Sequence, residues 1–221
     1  GKGSFETVER YIAVSSGPVA GMADYEQLLA MSSAAEPGVV VHESDPWYIG
    51  YTSGTTGFPK GAVLSHRARV LPALYAAVEY GLDDTDVDLM TMPLFHSNGI
   101  TFTFLGLLLG NTVFIMRNFD AAAVLVAIDE HKLTYASLVP TMYSMMLALP
   151  QEISAKYDLT SMRVLISSSS PLLTKTKEEI LRFFPSSELN EFYGSSEGGI
   201  VTNLKPRDQM RKTRCVGPAM F

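Results

Sequence analysis

The residues with the clearest chemical potential lie in one short stretch, Tyr51 to Gly61, which is rich in hydroxyl side chains and glycines and carries one lysine. Glycine lets a backbone approach a ligand closely and turn its N–H groups towards anionic oxygens. Hydroxyl groups and an ammonium group add further donors. This combination predicts a polyphosphate-binding loop formed by Thr52, Ser53, Gly54, Thr55, Thr56, Gly57 and Lys60. A solvated Ser/Gly linker is the alternative, but a linker needs neither a lysine fixed behind Pro59 nor apolar residues on both sides.

The loop differs from the Walker A loop, another phosphate-binding sequence. Walker A requires a lysine directly after a glycine and a hydroxyl residue directly after the lysine. Here Phe58 and Pro59 separate Gly57 from Lys60, and Gly61 occupies the hydroxyl position. The stretch instead resembles the signature phosphate loop of the adenylate-forming superfamily, which includes acyl-CoA synthetases, carrier-protein-loading adenylation domains and luciferases.

A second polar stretch, Tyr193-Gly-Ser-Ser-Glu197, resembles the Y-G-x-T-E segment of the same superfamily, with Ser196 in place of the usual threonine. Tyr193 offers an aromatic face to a planar base, Gly194 permits a turn, and Ser195 and Ser196 offer hydroxyl groups to the nucleotide. Glu197, with Ser196, supplies the hard oxygen ligands predicted for a Mg²⁺ ion on the phosphates. A strand-end turn with a solvated glutamate is the alternative explanation.

Ser168, Ser169 and Ser170 lie between a predicted strand and a predicted helix. The superfamily has a run of small residues at this place, against which the adenine lies, so the resemblance implies adenine contacts for these serines. Family members usually carry Gly or Ala there. Turn formation and helix capping explain the serines nearly as well.

His96 lies in Pro93-Leu-Phe-His-Ser-Asn-Gly99, which is similar to the P-x-F-H-x-x-G segment of acyl-CoA and aryl-CoA ligases. The resemblance implies that His96 borders the substrate carboxylate and the α-phosphate, where a group that changes charge near neutral pH is useful. With Lys60 and Glu197, it completes the predicted catalytic set. A helix-capping or core histidine is the alternative.

Apolar residues follow His96, and Val139-Pro-Thr-Met-Tyr143 resembles another superfamily segment, which borders the acyl pocket. The candidate lining residues of this pocket are Phe102, Phe104, Met142, Met145 and Met146. Their helical spacing makes the hydrophobic core the alternative location. The helix after His96 has no acidic residue to meet an α-ammonium group, and burying that cation unpaired is costly. The sequence therefore favours a medium or long apolar acid over an amino acid.

Short apolar segments alternate with helix-length segments along the chain. Strands are expected at 10–14, 47–52, 62–64, 89–92, 112–116, 134–139, 163–167 and 189–192. Asp24, Ser65 and Asp120 are predicted to cap the helices that follow them. The alternation predicts an α/β fold with three αβα layers and mainly parallel, doubly wound sheets, as in the N-terminal domain of acyl-CoA synthetases. The polar loops then meet at the carboxyl ends of the strands.

Composition predicts a globular chain with a buried core, since 47% of the 221 residues are hydrophobic and 18% are charged. A net charge of −6 argues against a nucleic-acid partner. The apolar run Gly99–Met116 approaches the length of a membrane span, but Gly106, Gly110 and Asn111 interrupt it, so a buried helix and a strand are expected. The single Cys215 cannot form an internal disulfide, and no signal peptide is visible, so a cytoplasmic location is expected.

The resemblance follows the order of the superfamily's motifs as far as Cys215-Val-Gly-Pro218, which is like S-V-G-x-P. It implies that residues 1–221 form part of a large N-terminal AMP-binding domain. The phosphate loop would lie at 51–61, the acyl-pocket segments at 93–146, and the adenine and magnesium segments at 167–197. The C-terminal lid domain is expected to lie outside the sequence, and with it the adenylation lysine.

The implied reaction is that of an ATP-dependent acyl-CoA synthetase. A carboxylic acid, here expected to be a fatty acid, reacts with ATP and Mg²⁺ to give an acyl-adenylate and pyrophosphate, and the acyl group then passes to coenzyme A. The 221 residues alone are expected to be inactive, and to form homodimers or larger associations through bared apolar surface. The alternatives are a carrier-protein-loading or aryl-acid adenylating enzyme and a non-catalytic nucleotide-binding fragment.

Overall fold

The computed structural model describes residues 7–15, 17–52 and 57–220. The chain divides into two compact units, Gly1–Val41 and His42–Phe221. In the first unit, β1 (Ile12–Ala13) pairs in parallel with β2 (Ala23–Asp24), and α1 (Tyr25–Met31) follows. The Asp24 side chain accepts a hydrogen bond from the Gln27 amide, which confirms the predicted cap of α1.

The second unit alternates strands and helices much as the sequence predicts. Its elements are β3 (Pro46–Thr52), β4 (Lys60–Ser65), α2 (His66–Tyr80), β5 (Val87–Met90), α3 (Ser97–Leu109), β6 (Thr112–Ile115), α4 (Ala121–His131), β7 (Tyr135–Leu138), α5 (Pro140–Leu147), α6 (Gln151–Ser154), β8 (Val164–Ser167), α7 (Thr174–Phe183), β9 (Glu188–Ser195) and β10 (Gly199–Leu204). Ser65 and Asp120 cap α2 and α4 as predicted. The sequence pattern did not predict α6 and β10.

The main sheet of this unit has the strand order β10-β9-β8-β7-β5-β6. Every neighbouring pair is parallel except β9 and β10, which form an antiparallel hairpin at one edge. The predicted α/β fold with a mainly parallel sheet is therefore confirmed. Because the parallel strands point the same way, the loops after β5, β8 and β9 lie at one edge of the sheet.

Helices cover both faces of this sheet, as the predicted three-layer arrangement requires. On one face, Leu89, Ala136, Leu165 and Leu189 belong to a buried cluster with residues of α4, α5 and α7. On the other face, Met90, Tyr135, Val164 and Ile166 pack with Ala73 and Ala76 of α2 and with Phe102 and Leu105 of α3. Successive strand residues alternate between the two clusters, because side chains in a strand point to opposite faces.

Strands β3 and β4 form a separate antiparallel hairpin, in which Thr52 pairs with Lys60 at the open end. The sequence predicts the two strands but not their pairing. The hairpin brackets the predicted phosphate loop. Four predicted loop residues, Ser53, Gly54, Thr55 and Thr56, lie outside the described residues.

Helix α3 begins five residues before the predicted apolar segment that starts at Phe102. Its first turn is the polar Ser97-Asn-Gly stretch of the F-H segment, and Gly110 ends it in a left-handed conformation. The apolar run Gly99–Met116 is thus a buried helix followed by β6, as expected.

Candidate functional site

A cavity of about 540 Å³ lies at the carboxyl ends of the parallel strands of the main sheet. Its walls come from α2, from the first turns of α3, from the loop after β8 and from the β9–β10 hairpin. The lining residues are Arg69, His96, Ser97, Asn98, Thr101, Phe102, Ser168, Ser169, Ser170, Pro171, Glu191, Phe192, Tyr193, Gly194, Ser195, Ser196, Gly199, Ile200 and Val216.

The fold brings most of the predicted site residues to this cavity. His96, the serines at 168–170 and the stretch from Tyr193 to Ser196 all line it, although up to 100 residues separate them in the sequence. The described residues of the phosphate loop, Thr52, Gly57 and Lys60, do not line it, and the Lys60 side chain is exposed at the start of β4. Glu197 also lies outside the lining, exposed in the turn directly after Ser196.

His96 is the N-cap of α3. Its Nδ1 accepts a hydrogen bond from the Asn98 backbone amide at 3.3 Å. His96 therefore satisfies a free backbone amide at the start of α3, which is the helix-capping role that was its alternative explanation. It also lines the cavity. The amino end of α3 carries a partial positive charge, so this wall of the cavity suits an anionic ligand.

Asn98 links α3 to the loop after β8. Its Nδ2 donates to the Ser168 Oγ at 2.9 Å, while its Oδ1 is buried without a hydrogen-bond partner among the described residues. The Ser168 amide in turn donates to the Leu138 carbonyl at the end of β7. These bonds connect the start of α3 to the ends of β8 and β7 at the cavity.

Ser169 has a φ of 72°, a left-handed conformation that costs energy for any residue with a β-carbon. Glycine adopts this conformation freely, which agrees with the small residues that the resemblance implies for this loop. Ser168 is buried beside it, whereas Ser170 is exposed. Ser169 lines the cavity, and strained backbone conformations of this kind often occur in binding sites.

The β9–β10 hairpin fits only a glycine at position 194. A β-carbon on Gly194 would lie 2.2 Å from the carbonyl oxygen of Gly199. The Ser195 Oγ accepts a hydrogen bond from the Gly198 amide and fixes the turn. Tyr193 is 56% exposed, so its ring is available to a ligand.

Two charged residues of the cavity wall were missed by sequence reasoning. Arg69 is only 5% exposed, and Glu191 is 3% exposed. Glu191 is held by a buried ion pair with Lys177 and by a hydrogen bond from the Leu172 amide. From sequence alone, a buried arginine on a helix cannot be distinguished from a solvent-exposed one. A glutamate inside an apolar strand is a stronger signal, because buried carboxylates need a partner.

Of the residues predicted for the acyl pocket, Phe102 lines the cavity. The others, Phe104, Met142, Met145 and Met146, do not, and Met146 is fully buried in the core beneath the sheet. Tyr143, from the same segment, is also buried and donates its hydroxyl to the Ile166 carbonyl. The core explanation therefore holds for Met146 and Tyr143.

No helix among the described residues is long and apolar enough to cross a membrane. In the same part of the chain, no group of three or more His, Cys, Asp or Glu side chains is arranged to hold a metal ion. A magnesium ion at this site would thus need further ligands besides Glu197 and Ser196.

The model of the AMP-binding enzyme family matches residues 4–221. The chain belongs to this family. The family identified from the phosphate loop is thereby confirmed. Among its relatives is the indoleacetate–CoA ligase of Aromatoleum aromaticum, which is 38% identical over 205 residues, covering 91% of this chain and 39% of the ligase. The chain thus spans well under half the length of this AMP-binding relative.

Solved structures of the AMP-binding family share this fold. The inhibitor-bound N-terminal domain of FACL13 from Mycobacterium tuberculosis has a TM-score of 0.81 and 28% identity, with 93% of this chain and 52% of that one covered. The O-succinylbenzoate coenzyme A synthetase MenE of Bacillus subtilis, in complex with ATP and magnesium ion, has a TM-score of 0.77 and 26% identity, with 90% and 41% covered.

Proposed function

We propose that the protein carrying this sequence is an AMP-forming acid–CoA ligase. It couples a carboxylic acid to ATP, releases pyrophosphate, and passes the acyl group from the acyl-adenylate to coenzyme A. The observation that carries the proposal is the cavity, which gathers His96, the serine loop and the Tyr193–Ser196 stretch in a chain of the AMP-binding family. The indoleacetate–CoA ligase relative supports the same reaction class.

The nucleotide is proposed to lie along the loop after β8 and the β9–β10 hairpin. Tyr193, with its exposed ring, stacks on the adenine, and Ser168, Ser169 and Ser170 offer backbone and hydroxyl groups to its edge. Ser195 and Ser196 follow towards the phosphates. These assignments rest on the small, polar character of the wall and on the position of each residue in the family's motif order.

The phosphates are proposed to be bound by the loop of the β3–β4 hairpin. Lys60 is exposed and joins no ion pair among the described residues, so its ammonium group is available to an anion. Preorganised positive charge stabilises the negative charge that develops on the departing pyrophosphate, and such stabilisation is often the largest contribution to catalysis. Lys60 and the loop amides are proposed to provide it.

Glu197 and Ser196 fit a magnesium ion by the chemistry of their donors. Both offer hard oxygen atoms, and the Glu197 carboxylate is exposed and free of ion pairs among the described residues. Mg²⁺ keeps several ligands from water and phosphate when one or two carboxylates bind it, which agrees with so few protein donors. When bound, it would neutralise phosphate charge.

His96 is proposed to hold the reacting carboxylate near the α-phosphate. It stands at the amino end of α3, where the helix partial charge and the imidazole both favour an anion. The hydrogen bond from Asn98 to its Nδ1 fixes the ring, so the other ring nitrogen is left to donate to a ligand.

The acid is proposed to have an apolar body. The sequence favours a fatty acid, whereas the names of relatives, indoleacetate–CoA ligase and 4-coumarate–CoA ligase, favour an aromatic acid. Phe102 supplies an apolar wall that suits either. A carrier-protein-loading enzyme is the weaker alternative, because the F-H segment and both relatives point to coenzyme A.

Residues 1–221 are proposed to form part of the N-terminal AMP-binding domain, with its phosphate, acyl-pocket, adenine and magnesium segments at the positions predicted from sequence. The resemblance assigns the adenylation lysine to the C-terminal lid domain, outside the 221 residues. On this proposal, these residues bind the nucleotide but do not make the acyl-adenylate alone.

The test is pyrophosphate release by the intact enzyme with ATP, Mg²⁺ and a panel of acids. We expect acid-dependent release with indoleacetate, 4-coumarate or fatty acids, and coenzyme A should then yield the thioester. Release that depends on amino acids instead would support carrier-protein loading. No acid-dependent release across the panel, in a protein that still binds ATP, would leave only nucleotide binding.

A further inference from the structure

Arg69 places an unpaired positive charge in the wall of the cavity. It lies in the first turns of α2, lines the cavity and is 5% exposed. Arginine is seldom buried so deeply unless an acidic partner accompanies it. Among the described residues, none of the ion pairs involves Arg69.

Among the described residues, the groups that contact the guanidinium are neutral. Nη1 donates to the Thr101 Oγ1 at 3.3 Å, and Nη2 lies 3.5 Å from the Ser196 carbonyl oxygen. The Tyr48 ring covers one side, with its centroid 4.9 Å from Cζ. The Nε atom is buried and has no hydrogen-bond partner among the described residues. Two long hydrogen bonds and one aromatic face leave much of the donor capacity of the fork unused.

Glu191 and His96 also line the cavity, but neither offers a free negative charge to Arg69. The Glu191 carboxylate is committed to Lys177 and to the Leu172 amide, so it cannot also serve Arg69. His96 accepts the Asn98 amide hydrogen bond at Nδ1 and carries no negative charge. Burial lowers the pKa of the Arg69 guanidinium, and Tyr48 opposes this effect, but arginine stays protonated in proteins. Arg69 is thus a permanent, uncompensated cation of the described cavity wall.

We propose that Arg69 binds a carboxylate of the acid substrate. An unpaired buried charge destabilises a fold, so the ligand is the natural source of the missing anion. A guanidinium fork matches a carboxylate with two parallel hydrogen bonds. The phosphates have their own proposed partners in Lys60, the loop amides and Mg²⁺, whereas the acid has no other permanent cation in the described wall.

This inference rests on the proposed ligase function and deepens it, because it names an acidic group that the substrate presents to Arg69. This carboxylate is either the reacting group of the acid or a second carboxylate elsewhere on the same molecule. Two arylacetic acids separate these two sources: 4-methylphenylacetate and 4-carboxyphenylacetate, which differ at one substituent.

The experiment compares Arg69→Met, Arg69→Lys and the parent enzyme, with Arg67→Met as the matched control. Arg67 is on the same helix but is exposed and paired with Glu43. The measurements are kcat/KM for each acid by pyrophosphate release, the Kd of each acid by calorimetry, and KM for ATP. Loss of a charged hydrogen bond should lower kcat/KM about 10- to 100-fold for Arg69→Met. Arg69→Lys should recover part of this loss, and Arg67→Met should change nothing.

The pattern across the two acids assigns the source. A loss confined to 4-carboxyphenylacetate means that Arg69 binds a second carboxylate, and an equal loss for both means that it binds the reacting one. Either result supports the proposal. Unchanged values for both acids, or a change in KM for ATP alone, would overturn it.

Thermal unfolding gives a readout that does not depend on activity. If Arg69 is retained for a ligand, Arg69→Met removes an unpaired buried charge and should raise the Tm by about 2–4 °C. A lower Tm would mean that Arg69 serves the fold, and the proposal would fail. If the parent enzyme activates no acid at all, the proposed function fails separately, and the Tm still decides the role of Arg69.

Discussion

Single side chains at this cavity stabilise the fold and also line the cavity wall. His96 caps α3 and lines the cavity, and Asn98 anchors the same helix to the loop after β8. Capping and ligand contact are therefore not competing explanations for His96. A residue whose orientation is fixed by a structural hydrogen bond is also better placed to hold a ligand, because no rotamer freedom is lost on binding.

At the residue scale, we predict that Lys60→Ala in the intact enzyme slows acyl-adenylate formation and leaves the fold intact. Lys60 is exposed, so its removal creates no cavity in the core. Loss of one donor to the developing charge should cost about 2–4 kcal/mol of transition-state stabilisation. Single-turnover pyrophosphate release measures the effect. Lys175→Ala, an equally exposed lysine on α7, is the control, and unchanged turnover in Lys60→Ala would refute the assignment.

A second prediction at this scale concerns Asp88 in the middle of the sheet. Asp88 is fully buried, and neither carboxylate oxygen has a hydrogen-bond partner among the described residues. Burial raises the pKa of Asp88 well above its ordinary value of 3.8. The folded state therefore holds a proton that the unfolded state releases. The contribution of Asp88 to the free energy of unfolding should be greatest below about pH 4 and should fall as the pH rises from there through the raised pKa.

Asp88→Asn should remove this pH dependence. At about pH 7 the variant should be more stable than the parent by about 1–3 kcal/mol, because the cost of keeping the carboxyl group protonated disappears. At about pH 4 the gain should be small, since the Asp88 carboxyl is then only about half ionised in the unfolded parent. Urea unfolding at the two pH values measures the difference. Asp84→Asn, at an exposed position, is the control; an equal gain at both values would contradict the explanation.

At the scale of elements, the start of α3 is packed against the backbone that follows β5. A β-carbon on Gly99 would lie 2.3 Å from the Pro93 carbonyl oxygen. This contact explains in physical terms why a glycine stands three residues after His96 in the F-H segment. The close approach fixes the position of the helix end that carries His96 and Asn98.

Gly99→Ala should therefore displace the start of α3. We expect a loss of about 1–3 kcal/mol in the free energy of unfolding, as in other overpacked cores, despite the better helix propensity of alanine. Acid affinity should fall with it, because His96 moves. Chemical denaturation and calorimetry measure the two effects. Gly17→Ala, where no atom lies within 4 Å of the added β-carbon, should be neutral, and a neutral Gly99→Ala would contradict this account.

At the scale of the whole molecule, we predict that the 221-residue chain associates in solution. Large apolar side chains are exposed on the β3–β4 hairpin, among them Ile49, Val63 and Phe58. Ile49 and Val63 are cross-strand partners and so form one patch. Exposed patches of this kind usually mark an interface or an aggregation site.

Light scattering at micromolar concentration is the measurement for this prediction. We expect dimers or larger species, and expect the double variant Ile49→Thr, Val63→Thr to reduce them while keeping the β-branched side chains that strands favour. Val14→Thr, an exposed position in the first unit, should have no effect. A clean monomer of the parent chain would contradict the prediction.

The sequence by itself determined the family, the fold class and most of the elements. Alternating apolar segments predicted the strands of the main sheet except β10, and the caps at Asp24, Ser65 and Asp120 were confirmed. These signals are local, since periodicity and capping depend on residues within one or two turns. The phosphate loop and the Y-G-x-S-E stretch were recognised for the same reason, because each is contained in a few consecutive residues.

The tertiary structure alone decided which charged side chains line the cavity. Arg69 and Glu191 lie on different elements, and no local pattern shows their partners. Glu191 pairs with Lys177, whereas no acidic residue among those described pairs with Arg69. The pairing of β9 with β10 and the burial of Met146 were decided in the same way. Contacts between residues distant in sequence depend on how elements pack, and packing is a property of the assembled core rather than of any segment.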